Sequence, residues 1–151
     1  MPTITPFLWF DTQAEEAMNF YASIFKRSRV ISVNRAQGKV MSVQFELEGQ
    51  AFMALNAGPQ FKFTEAISFF VGCEIQQEID ELWAKLIAGG GAPSRCGWLK
   101  DKFGLSWQIV PNALGRMLSD KDAAKSKRVM NVMLQMDKLD LKRLQQAYDG
   151  E

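Results

Sequence analysis

ITPFLWFDTQAEEAMNFYASIF, residues 4–25, determines how the rest of the chain is interpreted, because its two halves follow different hydrophobic periods. The first seven residues are a short apolar run of the kind that forms a buried strand. Thr12 and Glu15 then have the spacing of a capping box, which predicts the start of a helix. Apolar residues of the helix recur on one face: Ala17, Phe20, Tyr21, Ile24 and Phe25. The stretch therefore predicts a strand followed by a helix that packs against a sheet.

Three further strands complete this first half. RVISVNRA (29–36) is rich in β-branched residues, and VMSVQFELE (40–48) alternates apolar with polar residues, which predicts one buried and one polar face. Gly49 and Gln50 turn the chain into AFMALNA (51–57), which completes a hairpin. The predicted order is strand, helix and three strands.

The same order recurs in the second half. AISFFVG (66–72) is again apolar, and GGGAPS (89–94) ends the next helix before a second hairpin, CGWLKDKFGLSWQIV (96–110). The apolar residues of this helix each lie 62 residues after one in the first helix, and they are Ile79, Leu82, Trp83, Leu86 and Ile87. Gly104 and Trp107 likewise follow Gly49 and Phe52 by 55 residues. We favour a duplication of two βαβββ modules with the second strand of module two shortened. The alternative, two unrelated amphipathic helices of an α+β domain, stays open.

The predicted domain covers 1–111, with module one at 1–60 and module two at 61–111, and a helical extension of the same domain at 112–151. The extension has no strand signal. Its apolar stripes are Val129, Met130, Met133 and Met136, then Leu141, Leu144 and Tyr148. Because methionine suits irregular surfaces, this tail could pack on its own domain or on a partner subunit, and both remain open.

Composition excludes several classes of function. The chain has 151 residues, 47% of them hydrophobic, and a formal net charge of +1 with no basic stripe, so we expect one core and no nucleic-acid partner. No run is long enough to cross a membrane, and no signal peptide or closely spaced cysteine pair is present, so we expect a cytoplasmic protein. There is no histidine, which excludes catalytic triads with a histidine base, Cys₂His₂ and HExxH zinc sites and 2-His-1-carboxylate iron sites.

Three segments, ITPFLWF with AEEAMNFYASIF, ISFFVGCEIQQEIDELWAKL and CGWLKDKFGLSWQIVP, closely resemble the PhnB-like family, whose domain is labelled 3-demethylubiquinone-9 3-methyltransferase. That family is similar to the glyoxalase, bleomycin resistance and extradiol dioxygenase proteins of the vicinal oxygen chelate superfamily. The resemblance implies an α+β fold of paired βαβββ modules that form a half-open β-barrel, and usually a homodimer.

The resemblance also locates the metal ligands of metal-dependent relatives. Two histidines would fall at about Pro6 and Ala66, and a glutamate would fall at Gln108. None of these residues offers an imidazole or an anionic ligand, and one neutral amide holds a divalent ion weakly. We therefore expect no metal and no cofactor.

Strand parity predicts a pocket around Gln108. If Gln108 points into the barrel, Ser106 points with it, while Trp107 belongs to the core. The candidate pocket residues are Leu8, Phe10, Ser68, Phe70, Trp98, Ser106 and Gln108. The face on which Trp98 lies depends on the length of the turn. A four-residue turn, DKFG, would pair Trp98 with Trp107, whereas a five-residue loop would place it in the pocket.

Three functions follow. The first is a small-molecule binding protein with an apolar pocket in which Gln108 and Ser68 provide hydrogen bonds. The second is a metal-independent lyase or isomerase with Asp101 or Glu46 as base, although Asp101 is most simply a solvated turn residue. The third is the methyltransferase of the family label, acting on a quinone-type substrate, but no glycine-rich turn for a methyl donor is present.

Cys73 and Cys96 have no partner that would activate them, so we interpret them as ordinary small residues.

Overall fold

The computed structural model describes all 151 residues, which group into two compact units, Met1–Lys62 and Phe63–Glu151. Unit one contains β1 (Phe7–Phe10), α1 (Ala14–Ile24), β2 (Ser28–Ala36), β3 (Lys39–Leu47) and β4 (Gln50–Asn56). Unit two contains β5 (Phe69–Cys73), α2 (Gln76–Ile87), β6 (Ala92–Pro93), β7 (Trp98–Lys100), β8 (Ser106–Pro111), α3 (Asn112–Leu118), α4 (Ala123–Met133) and α5 (Leu141–Asp149).

The two sheets have the same topology. Unit one has the strand order β1-β4-β3-β2 and unit two the order β5-β8-β7-β6. In unit one β1 is parallel to β4, and in unit two β5 is parallel to β8, while the other neighbouring strands are antiparallel. The shortened strand of module two is β6, which has two residues. The predicted α+β class and the pair of βαβββ modules are therefore confirmed.

In unit one the helix covers one face of the sheet. Tyr21 of α1 stacks on Phe45 of β3 with ring centroids 6.4 Å apart, and Phe45 stacks on Phe52 of β4 at 5.4 Å. The alternation predicted for β3 is present, since Val43, Phe45 and Leu47 are buried and the residues between them are not. Aromatic packing beneath α1 thus forms the core of this unit.

The capping box predicted at the start of α1 is wrong. The helix begins at Ala14, and no side chain at its N-cap position accepts a hydrogen bond. Instead Asn56, at the end of β4, accepts a hydrogen bond from the Ala14 amide at 2.9 Å. A helix N-terminus needs acceptors for its free N–H groups, and here the fold supplies one from a distant strand.

The β3–β4 turn lies one residue earlier than predicted. Leu47 pairs directly with Gln50, so Glu48 and Gly49 form the two-residue turn, with φ of 48° and 84°. Two positive φ values are typical of the type I′ turn, whose twist matches that of the strands it joins.

The C-terminal helices pack on module two of the same chain. The amides of Cys96 and Gly97 donate to the carbonyl oxygens of Met136 and Asp137, both at 2.8 Å. The Gln76 side chain donates to the Leu139 carbonyl at 3.0 Å and accepts from the Leu141 amide at 2.7 Å. An apolar cluster joins the tail to β8, and it contains Val110, Leu114, Met117, Val129, Met136, Leu139 and Leu144. Of the two arrangements left open for the tail, the chain adopts packing on its own module. None of the helices combines the length and apolar character needed to cross a membrane.

Candidate functional site

Gln108 lies in the middle of the second sheet, on the face opposite α2. It is opposite Phe70 of β5 and Trp98 of β7 in the register, while its neighbours Trp107 and Ile109 are buried on the α2 side. Directly opposite residues share a face, so Gln108, Phe70 and Trp98 lie side by side. We call this surface the Gln108 face, and it comprises Phe70, Trp98, Ser106 and Gln108.

A hydrogen bond joins Gln108 to Ser68, the residue just before β5. The Gln108 amide Nε2 donates to Ser68 Oγ at 2.9 Å. The bond leaves the Gln108 carbonyl oxygen as an acceptor and the Ser68 hydroxyl hydrogen as a donor. The pair can therefore accept from and donate to a molecule on this face.

Trp98 reaches the Gln108 face because the β7–β8 loop has five residues. Lys100 pairs with Ser106, which leaves residues 101–105 in the loop, so the four-residue turn is wrong and the five-residue alternative is the one formed. A change of one residue in loop length reverses the face of every residue in the strand. Trp98 is consequently opposite Gln108 rather than Trp107.

Asp101 holds this loop together. Its Oδ1 accepts the amide hydrogens of Phe103 at 2.9 Å and Leu105 at 3.1 Å, and its Oδ2 accepts from the Trp107 indole nitrogen at 2.9 Å. The side chain is only 2% exposed, so the interpretation of Asp101 as a solvated turn residue is wrong. Both carboxylate oxygens are engaged in positioning the loop, which argues against a role as base.

Leu8 and Phe10 do not belong to the pocket. Leu8 pairs with Ala54, which is opposite Val43 beneath α1, and Leu8 is 6% exposed whereas Phe7 is 53% exposed. The predicted parity of β1 is therefore wrong, and Leu8 and Phe10 are core residues.

The error has an identifiable cause in the strand-to-helix connections. The helix-facing residues are Leu8 and Phe10 in β1 but Phe69 and Val71 in β5, so the offset between the two sets is an odd number rather than 62. Three residues (11–13) separate β1 from α1, whereas two (74–75) separate β5 from α2, and this difference of one residue reverses the parity carried over from the helices. Trp9 lies on the other side of β1, where its indole N–H donates to the Gly58 carbonyl at 2.9 Å.

A cleft of about 240 Å³ opens beside Trp98. Its lining is formed by Glu65, Ala92, Pro93, Ser94, Trp98, Leu99, Lys100 and Ser106. Lys100 and Glu65 form an ion pair here, and the hydrogen bond from Lys100 is the largest cause of the lowered pKa of Glu65. The Ser106 hydroxyl is buried and has no hydrogen-bond partner. Glu65 and Lys100 were not predicted, because no motif marks a pair brought together by a loop.

The remaining candidates for chemistry are not activated. Glu46 accepts two hydrogen bonds from Arg29, at 2.9 and 3.0 Å, and this bonding lowers the pKa of Glu46 and weakens it as a base. Burial, followed by the charge of Glu78, raises the pKa of Cys73 to about 11, which keeps it as a thiol. The surroundings of Cys73 are consistent with its interpretation as an ordinary small residue, whereas those of Glu46 argue against its proposed role as base.

The residues at the three positions that the resemblance assigned to metal ligands do not fit a metal ion. Pro6 and Ala66 have no donor atoms in their side chains, and the Gln108 amide is bonded to Ser68. No group of three or more Cys, Asp or Glu residues lies close enough to hold an ion. Divalent ions need several oxygen, nitrogen or sulfur ligands together, and these positions supply one neutral amide.

Residues 2–110 match the family model described as 3-demethylubiquinone-9 3-methyltransferase. The chain belongs to this PhnB-like family. The PhnB protein from Bacillus cereus is 39% identical, with a TM-score of 0.68, over 73% of this chain and 99% of that one. No curated protein sequence matches the chain.

Two more distant structures share the PhnB-like fold. A protein from Pseudomonas aeruginosa has 20% identity and a TM-score of 0.60, covering 74% of this chain and 98% of its own. A glyoxylase/bleomycin resistance protein/dioxygenase domain from Frankia sp. EAN1pec has 12% identity and a TM-score of 0.51, covering 74% and 92%. The helical tail, α3 to α5, lies beyond the last residue of the family model.

Proposed function

We propose that this PhnB-like protein binds a small, largely apolar molecule on the Gln108 face. The observation that carries the proposal is the Gln108–Ser68 pair, which keeps one acceptor and one donor free beside Phe70 and Trp98. Small-molecule sites are typically apolar surfaces with a few placed polar groups, and this face has that composition.

Binding is favoured over catalysis because neither proposed base suits the role. Asp101 is buried with its carboxylate bonded to three N–H groups, and the pKa of Glu46 is lowered by Arg29. A general base at neutral pH needs a pKa shifted upward and a free lone pair near the substrate. A metal-independent lyase or isomerase is therefore the less favoured alternative.

The methyltransferase of the family label is favoured least. The strand-to-helix connections of the two modules, residues 11–13 and 74–75, contain no glycine, and each sheet has only one parallel pair. Binding of a methyl donor in the usual α/β manner uses a glycine-rich turn at the end of a parallel strand. These residues do not fit that cofactor.

We further propose that the protein is a homodimer, which the family resemblance supports. Large apolar side chains of both units are exposed on the single chain, among them Phe7, Phe61 and Ile75. Apolar surface of this kind is often covered by association. Light scattering should give the mass of two chains, and a monomeric mass at micromolar concentration would contradict this.

The binding proposal is tested by thermal shift and calorimetry with 2-naphthol, menadione, S-adenosylmethionine and Zn²⁺. We expect an aromatic probe to bind and to stabilise by roughly 2.7 kcal/mol at 100 times its Kd. Gln108→Leu should weaken it about five- to tenfold, since one or two hydrogen bonds are lost. Gln135→Leu, an exposed substitution in the tail, is the control and should leave binding unchanged.

Stabilisation by the methyl donor or by zinc, with none by the aromatic probes, would refute the proposal. Equal affinity of the Gln108→Leu variant and the unmodified protein would show that binding occurs elsewhere.

A further inference from the structure

The buried hydroxyl of Ser106 is the starting point. The residue is 1% exposed, and its Oγ has no hydrogen-bond partner although it lines the cleft beside Trp98. Unpartnered buried polar groups are rare in native proteins, and a binding site is one of the places where they occur. A ligand in the cleft could supply the missing partner.

The charged group nearest to this hydroxyl in the register is Lys100. The two residues are directly opposite each other on β7 and β8, so their Cβ atoms are about 5 Å apart. Lys100 is paired with Glu65, whose carboxylate comes from the loop before β5. A carboxylate of the chain itself thus lies at the cleft, in an ion pair with Lys100.

The size and walls of the cleft restrict the rest of the ligand. A volume of about 240 Å³ is smaller than the roughly 300–1,000 Å³ of pockets for drug-sized molecules. Trp98 provides a flat aromatic wall, and Gln108 lies two residues beyond Ser106 on the same face, about 7 Å along the strand. That length and volume suit a single ring.

We propose that the site binds a monocyclic aromatic carboxylate, with its ring against Trp98 and its carboxylate bound by Lys100 and Ser106 in place of Glu65. The proposal rests on the proposed function, because it names the ligand class of the same face. The ligand carboxylate pairs with the flexible Lys100 side chain in place of Glu65 and accepts a hydrogen bond from the Ser106 hydroxyl. Glu65 acts as an internal competitor.

The experiment is isothermal calorimetry on the full chain with benzoate and its neutral analogue benzamide, at low salt. We expect benzoate to bind about tenfold more tightly than benzamide, since hydrogen bonds to charged groups are the stronger ones. Lys100→Gln should abolish this preference. Ser106→Ala should weaken benzoate binding severalfold, while its melting temperature stays equal or rises because an unpartnered hydroxyl is removed.

Glu65→Gln provides the sharpest test. Removal of the competing carboxylate should tighten benzoate binding by about two- to fivefold and leave benzamide binding unchanged. Glu16→Gln, an exposed substitution in unit one, is the matched control and should change neither.

Equal binding of benzoate and benzamide in every variant would overturn this inference and leave the proposed function intact. The same conclusion follows if 2-naphthol binds through Gln108 while benzoate does not. Failure of every aromatic probe, 2-naphthol included, would overturn both. Weaker benzoate binding by Glu65→Gln would show that Glu65 is part of the site rather than a competitor.

Discussion

Replacement of Asp101 by asparagine tests the hydrogen bonds that hold the five-residue β7–β8 loop, which places Trp98 on the Gln108 face. The carboxylate accepts three N–H groups, two from the loop backbone and one from the Trp107 indole. Asparagine keeps one acceptor oxygen, so its NH₂ group must face one or more of these donors. A lost hydrogen bond to a charged group is worth about 1.5–3 kcal/mol, and a buried donor is left without a partner. We expect the free energy of unfolding to fall by about 2–3 kcal/mol.

Urea unfolding followed by circular dichroism measures this change. Asp11→Asn is the matched control, because Asp11 is exposed, and it should alter stability by less than about 0.5 kcal/mol. A double-mutant cycle with Trp107→Phe isolates the indole contact. In the Trp107→Phe background the opposing donor is gone, so Asp101→Asn should be less destabilising there by about 1–2 kcal/mol.

Two results would refute this reasoning. An Asp101→Asn variant as stable as the unmodified protein would show that the carboxylate does not hold the loop. Additive effects in the cycle would show that the bond between Asp101 and Trp107 contributes nothing specific.

Two further predictions concern the core. Leu8→Ala should destabilise unit one by about 2–5 kcal/mol, as expected for a buried leucine, and Phe7→Ala by less than about 1 kcal/mol; equal effects in urea unfolding would contradict the parity of β1. The pKa of Cys73 is about 11 in the folded chain against an ordinary 9.0, so the native state keeps its proton longer than the unfolded state. This stabilising contribution is fully present below pH 9.0 and is lost as the pH rises toward 11. Denaturation series from pH 8 to 11 should show a steeper fall for the unmodified protein than for Cys73→Ala, and parallel curves would refute the shift.

The periodic features of the sequence predicted the fold because they depend on local geometry. The stripe of α1 and the alternation of β3 require only that apolar side chains avoid water at helical or strand spacing. The same spacing predicted α2 and the strands of the second hairpin. The two modules were predicted because strand, helix and hairpin recur in the same order. The shortness of β6 was also predicted, since few residues separate the glycines after α2 from β7.

The residues of the candidate site could not be assigned in the same way, because their faces and partners depend on connection lengths and strand pairing, which local patterns do not show. Leu8 was assigned to the wrong face because module two has one residue fewer than module one between its first strand and its helix. Asn56 replaced the predicted capping box because strand pairing brought β4 next to the start of α1. Each of these outcomes required knowing which strands are neighbours.

By itself, the sequence determined that this chain is a duplicated α+β protein of the PhnB-like family and that it contains no histidine. Only the tertiary structure decided that Trp98 joins Gln108, that Asp101 is buried, and that Lys100, Glu65 and Ser106 share one cleft. The physical reason is that a strand alternates its faces with every residue, so one residue of loop length exchanges core for surface. The hydrogen bonds of Asp101 hold the loop at that length, and one of their donors is Trp107 in the strand that follows the loop.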